Sequence, residues 1–199
     1  MKHRLEAFTD GVMAIVITLL ILEVRLPEVE YDGLLQGLAA ILPKISAYAQ
    51  TFLLIGLYWV FHHQAFSFVK EVDGVLLWIN ILFLLLISFL PFPTAMMGKY
   101  PNQTLPEVIY CSSLMLVNLT GFCMVLYLRR NPQLASPIFT DKVFRSQIWV
   151  YMGVNCLYAL CLVLAFFLPA VSAYLLGAVA IFLVLRSVVQ MGIGKCVVS

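Results

Sequence analysis

The chain has 199 residues, 63% of them hydrophobic and 11% charged, and a mean hydropathy of +1.00. Soluble domains carry about 25% charged residues, so a soluble fold is excluded and an integral membrane protein with little loop is expected. The formal net charge of +2 is no nucleic-acid signature, because the basic residues fall in loops, where they report membrane orientation.

A membrane span needs about 20 mostly apolar residues. Six segments come close, at about 6–26, 42–64, 75–97, 106–128, 146–168 and 171–191. Asp10 interrupts the first, and no small-residue cleavage site follows it, which argues against a signal peptide. An acidic loop (Glu28, Glu30, Asp32) and an apolar lead-in at 34–41 precede the second. The third is very apolar up to Pro91 and Pro93, a pair that reads as lying near its end. The longest polar connection runs from Arg129 to Arg145, and Pro169 closes the fifth span. Each segment is too long for a barrel strand, and backbone in lipid must be satisfied internally. The expected fold is therefore an all-α bundle of six transmembrane helices, one domain over 1–199. Cys111, Cys123, Cys156, Cys161 and Cys196 have no metal-binding spacing. Four of them lie in apolar runs, which predicts buried, reduced thiols.

Nine of the twelve Lys and Arg residues (Lys2, Arg4, Lys70, Arg129, Arg130, Lys142, Arg145, Arg186, Lys195) fall on one side of this layout. Only Arg25, Lys44 and Lys99 fall on the other. The positive-inside rule then places both termini in the cytoplasm, in keeping with an even number of spans.

The most informative stretch is Arg4-Leu-Glu-Ala-Phe8-Thr9-Asp10-Gly11, which runs into the apolar segment 12–22. A carboxylate at the mouth of a span is expensive and marks a functional or structural site. Residues on a helix turn by about 100° each, so Ile15, Leu19 and Leu22 share a stripe with Thr18 beside it, and Asp10 points away from that stripe. The stripe is either ordinary packing or, if several copies surround an axis, stacked apolar rings that gate by dewetting. Glu23 and Arg25 lie at the outer end, where a ring of Glu would concentrate cations. Asp10 shares its membrane depth with Arg4, His62, His63, Trp78 and Asn80. These supply either a polar cluster pinning helices one to three together or a proton relay.

The run Arg4-x-x-x-Phe8-Thr9-Asp10 followed by Gly-Val-Met-Ala-Ile-Val-Ile-Thr resembles the first-helix signature of the transmembrane protein 175 family of lysosomal and prokaryotic potassium channels, with Thr9 in place of the usual Ser. The Trp59-x-x-His62-His63-x-x-Phe66 run, Asn80 and Pro91-Phe92-Pro93-x-Ala are compatible with it. The resemblance implies a single-repeat, prokaryotic-type subunit in the inner membrane, a homotetramer surrounded by lipid, and a pore lined by the first helices. Ile15 would be the main constriction, Leu19 and Leu22 further layers on its outer side, and Thr18 would lie close to the conduction path. Arg4, Phe8, Thr9 and Asp10 would belong to a polar network with His62, His63 and Asn80. Potassium would be the permeant ion, with no cofactor. No T-V-G-Y-G filter occurs, so potassium preference would arise at apolar rings and be modest.

A proton-coupled secondary transporter using Asp10 and His62 or His63 is the competing reading. Inverted repeats and broken helices at mid-membrane would accompany it, and the sequence suggests neither. An enzyme is disfavoured: adjacent histidines point about 100° apart, and no H-E-x-x-H or G-x-S-x-G motif or cysteine cluster is present.

Overall fold

A computed structural model describes residues 1–196, with side chains described for 1–185. Among the described residues it is helical, with one isolated β-bridge between Val69 and Ala135. The helices are α1 (Lys2–Leu19), α2 (Leu34–Ala40), α3 (Leu42–Ser67), α4 (Gly74–Phe89), α5 (Pro91–Lys99), α6 (Thr104–Arg130), α7 (Asp141–Phe167) and α8 (Pro169–Cys196). Five helical segments are long and apolar enough to cross a membrane: Lys2–Glu23, Leu42–Ser67, Gly74–Lys99, Thr104–Arg130 and Asp141–Phe167. Pro169–Leu185 is a shorter apolar helical stretch. The protein is an all-α integral membrane protein.

Several boundaries differ from the sequence reading for local reasons. The first helix starts at Lys2, tightens into a 3-10 turn over Leu20–Glu23 and ends there. Arg25 and Leu26 therefore fall outside it. Pro27 has no N–H, and it disfavours helical backbone at the residue before it. The fifth span, α7, begins at Asp141, where Thr140 caps it, its side chain accepting from the Val143 N–H. The lead-in at 34–41 is a separate short helix, α2. The proline pair is not at the end of the third span. Helix resumes at Pro91, which breaks the span between α4 and α5 with nine residues still to run.

That break is sealed from behind. The Thr94 hydroxyl reaches the Leu90 carbonyl at 2.8 Å. Thr51 of α3 meets Thr94 at 2.9 Å and Tyr110 of α6 at 2.8 Å, all three buried. Side chains of α3, α5 and α6 are thus joined beside the break, where the Leu90 N–H donates to the Ile87 carbonyl that Pro91 cannot reach. Close approach does the rest: a Cβ on Gly98 would come within 2.9 Å of the Lys44 backbone, so only glycine allows α5 to lie this near α3.

The main core joins α1, α3, α4, α6, α7 and α8 through residues such as Val16, Ile55, Ile87, Leu114, Tyr158 and Leu176. A second core around Leu5, Phe66, Leu76 and Leu128 closes the end that carries the N-terminus. There the α3–α4 and α6–α7 loops pair, with Lys70 N donating to Leu134 O and Ser136 N to Phe68 O, each at 2.7 Å. Lys2 Nζ ties α1 to this junction through the Val69 carbonyl at 2.8 Å. Arg129 pairs with Asp141 at 2.8 Å across the α6–α7 loop. Of the cysteines, Cys111 and Cys161 are buried, but Cys123 and Cys156 face outward. An outward position in lipid is as apolar as the core, so hydropathy does not separate the two. The side chains of Arg186, Lys195 and Cys196 lie outside the described residues.

Candidate functional site

The two faces of α1 divide cleanly. Leu5, Thr9, Met13, Val16 and Leu20 are buried, spaced by four, four, three and four residues, and α1 packs them against α3 and α4. Opposite them, Ile15, Leu19 and Leu22 are 60, 45 and 63% exposed. Thr18 is also exposed, its hydroxyl donating to the Ile15 carbonyl at 2.8 Å. The chain leaves this apolar stripe uncovered.

The buried face carries the polar anchor. Asn80 Nδ2 of α4 donates to Thr9 Oγ1 at 2.9 Å, which leaves Asn80 Oδ1 to accept from His62 Nε2 of α3 at 2.7 Å. The three residues are buried, and the His62 ring stacks between Phe66 and Phe83, with centroids at 4.3 and 5.1 Å. One continuous chain of hydrogen bonds thus joins α1, α4 and α3. Buried polar groups in a membrane bundle need such partners.

Asp10 stands apart from this chain. Its Oδ1 accepts from Trp59 Nε1 at 2.8 Å, and the Trp59 ring stacks on His63 at 5.7 Å. Asp10 and Trp59 border a groove of about 230 Å³ between α1 and α3. The adjacent histidines therefore serve two directions: His62 points inward with Phe66, its i+4 neighbour, and His63 outward with Trp59, its i−4 neighbour. The spacing of Trp59 and His63 signals this pair, although the sequence reading assigned Trp59 no partner. Trp78, offered as a partner for Asp10, is exposed.

Arg4 and Phe8 are also placed elsewhere than in the expected network. The Arg4 side chain is exposed and forms no hydrogen bond or ion pair among the described residues, and Phe8 is 56% exposed. The reason is rotation. At about 100° per residue Arg4 and Phe8 each fall within about 20° of Ile15, on the open stripe, whereas Thr9 faces the other way. At the far end Glu23 and Arg25 are exposed, and Glu23 and Lys44 border a cavity of about 270 Å³.

Outside the helices, Asp73 caps α4. Its Oδ2 accepts from the Tyr127 hydroxyl at 2.5 Å and its Oδ1 from the Leu76 N–H at 2.9 Å. The Tyr127 bond first, and the backbone bond next, hold its carboxyl below the usual carboxylate range.

Comparison with known proteins bears on the same stretch. The family described as endosomal/lysosomal potassium channel TMEM175 matches residues 4–91, which include the open stripe, the Thr9–Asn80–His62 chain and the Asp10–Trp59 pair. A protein named as a potassium channel from Streptomyces collinus is 46% identical over 101 residues, 50% of this chain and 49% of that one. The Danio rerio protein named endosomal/lysosomal proton channel TMEM175 is 30% identical over 195 residues, 92% of this chain and 36% of that one. The matched region thus spans about half the length of the bacterial relative and about a third of the fish protein. The crystal structure of a TMEM175 homologue from Chamaesiphon minutus, described as a lysosomal potassium-selective channel homologue, superposes with a TM-score of 0.82 at 30% identity. That match covers 94% of this chain and 97% of the other. With fold and sequence agreeing over nearly the whole of a solved relative, the chain belongs to the TMEM175 family.

Proposed function

We propose that the protein is a potassium-favouring cation channel, a homotetramer in which four copies of α1 surround a central pore. One observation carries the reading. A membrane-spanning helix that packs Leu5, Thr9, Met13, Val16 and Leu20 against its neighbours leaves Phe8, Ile15, Leu19 and Leu22 exposed along one line. Four copies turned toward one axis would bury that line and stack it into rings. Ile15 is the constriction in this reading, Leu19 and Leu22 widen outward from it, and Thr18 borders the path. Arg4 lines the inner mouth, and Glu23 with Arg25 forms the outer one. The Thr9–Asn80–His62 chain and the Asp10–Trp59 bond hold α1 at the rotation that keeps the stripe on the axis. Both termini lie in the cytoplasm, in a bacterial cell membrane, as the Lys and Arg distribution favours.

An apolar ring offers no oxygen cage. It favours the ion that sheds water at lower cost, potassium over sodium, and only modestly. The test is a reversal potential in a planar bilayer, with potassium on one side and sodium on the other. The unmutated protein should reverse on the potassium-favouring side, and Ile15→Asn should raise conductance and move the reversal toward zero. Unchanged conductance and selectivity in Ile15→Asn would sink the assignment.

A proton-coupled transporter has one observation in its favour, the break of the third span at Pro91. Against it, the break is plugged by Thr51, Thr94 and Tyr110, and Asp10 and His62 take different partners. Saturating, gradient-driven uptake in place of ohmic current would favour that reading.

A further inference from the structure

We propose that a second cavity, at the end of the bundle away from Lys2, is a binding site for a compact hydrophobic monocation: an apolar body bearing a protonated amine, with Glu107 as its counter-ion. The cavity measures about 750 Å³ and lies between the first turns of α3, the turn 100–103, and the starts of α6 and α8. Its size falls within the range of small-molecule sites, about 300–1,000 Å³.

Its chemistry selects the ligand. Most of the wall is apolar, with Ile45, Met97 and Ile181 among its members, and Glu107 is its one acidic or basic residue. Glu107 is only 3% exposed. Its Oε1 accepts from the Ser172 hydroxyl at 3.0 Å and, weakly, from Cys111 Sγ at 3.9 Å. Its Oε2 accepts nothing among the described residues, and no described cation pairs with it. Lys99 is close in sequence, but its ammonium sits over the Tyr100 ring at 5.3 Å and it borders the separate 270 Å³ cavity. A carboxyl inside a membrane bundle without a cation is costly and calls for one. Gln50 lies on the same wall, with its Nε2 buried and without a hydrogen-bond partner, but that donor is no partner for an ammonium, which also only donates. Tyr174 presents an exposed ring beside the cavity, a further feature suited to an ammonium. An anion would meet Glu107. A divalent metal would find one carboxylate where it needs about six oxygens. A bare hydrocarbon chain would leave the Glu107 carboxylate without a counter-ion.

The probe is 1-aminoadamantane, with 1-adamantanol as its neutral isostere, titrated by saturation-transfer NMR onto the full chain in nanodiscs against empty nanodiscs. The amine should bind saturably, and at least about tenfold more tightly than the alcohol, as expected for a desolvated charge-assisted bond. Glu107→Gln should remove that preference. Gly177→Leu should abolish binding without touching the carboxyl, since Gly177 lines the cavity beside Gln50. Ile15→Asn should leave the affinity unchanged, which separates this site from the pore. Should Glu107→Gln fail to fold, Gly177→Leu and the alcohol decide. Equal binding of amine and alcohol, no saturable amine binding, unchanged affinity in Gly177→Leu, or a loss in Ile15→Asn would each overturn the proposal.

Discussion

The two ends of the bundle treat buried polar groups in opposite ways. Near the N-terminus Asn80 spends both ends of its amide, on Thr9 and on His62, and the three helices that meet there are locked by a closed chain. At the other end, beside a cavity, Gln50 Nε2 is buried without a partner and Glu107 accepts through Oε1 alone. The residue types are similar, but their energetic meaning is not. A polar group with partners in lipid is glue, and one without them is a cost that some other function must justify.

The sharpest way to break this comparison is to make the same kind of change at both ends. Asn80→Leu should lower stability by about 3 kcal/mol, because it strands buried groups on both Thr9 and His62. The measurement is the denaturant midpoint in mixed micelles. Gly98→Ala should come next, at about 1–2 kcal/mol, since the new methyl meets the Lys44 backbone and α3 and α5 must part. Gln50→Leu should be smaller still and opposite in sign, a gain of up to about 1 kcal/mol, because it removes a buried donor that has no partner. Equal losses at Asn80 and Gln50 would erase the contrast.

The smallest effect sharpens the comparison from outside the membrane. Asp73 is held below its ordinary range in the folded protein, chiefly by Tyr127. Its contribution is therefore present above the unfolded carboxylate value, about 4, and is lost as pH falls through the lower folded value. Tyr127→Phe should reduce the loss of thermal stability between about pH 6 and about pH 3. A loss as large as that of the unmutated protein would show that other carboxylates carry it.

Much of the site was legible from residue spacing. The wheel separates Ile15, Leu19 and Leu22 from Asp10, and the adjacency of His62 and His63 implies two directions. The same wheel, carried back to the start of the helix, places Arg4 and Phe8 on the open stripe. Their position in the Arg4-to-Asp10 motif suggested a network instead, because neighbours in sequence are not neighbours on a helix face. Trp59 was harder to see. Its bond to Asp10 depends on how α1 and α3 cross, and no local pattern encodes that crossing.

The proline break shows the same limit. Pro91 states that a hydrogen bond is missing, but not whether the helix ends or continues. It continues as α5, and Thr51 and Tyr110, 40 and 19 residues from Pro91 in the chain, form a hydrogen-bonded cluster with Thr94 there. Nor does any stretch of sequence announce the 750 Å³ cavity, whose lining comes from four separate parts of the chain. By itself the sequence determined the membrane class, the helical spans and the amphipathic logic of the first helix, since apolar length and 100° periodicity are local properties. Only the tertiary structure decided which polar groups find partners and which do not, because that depends on distances between segments far apart in the chain.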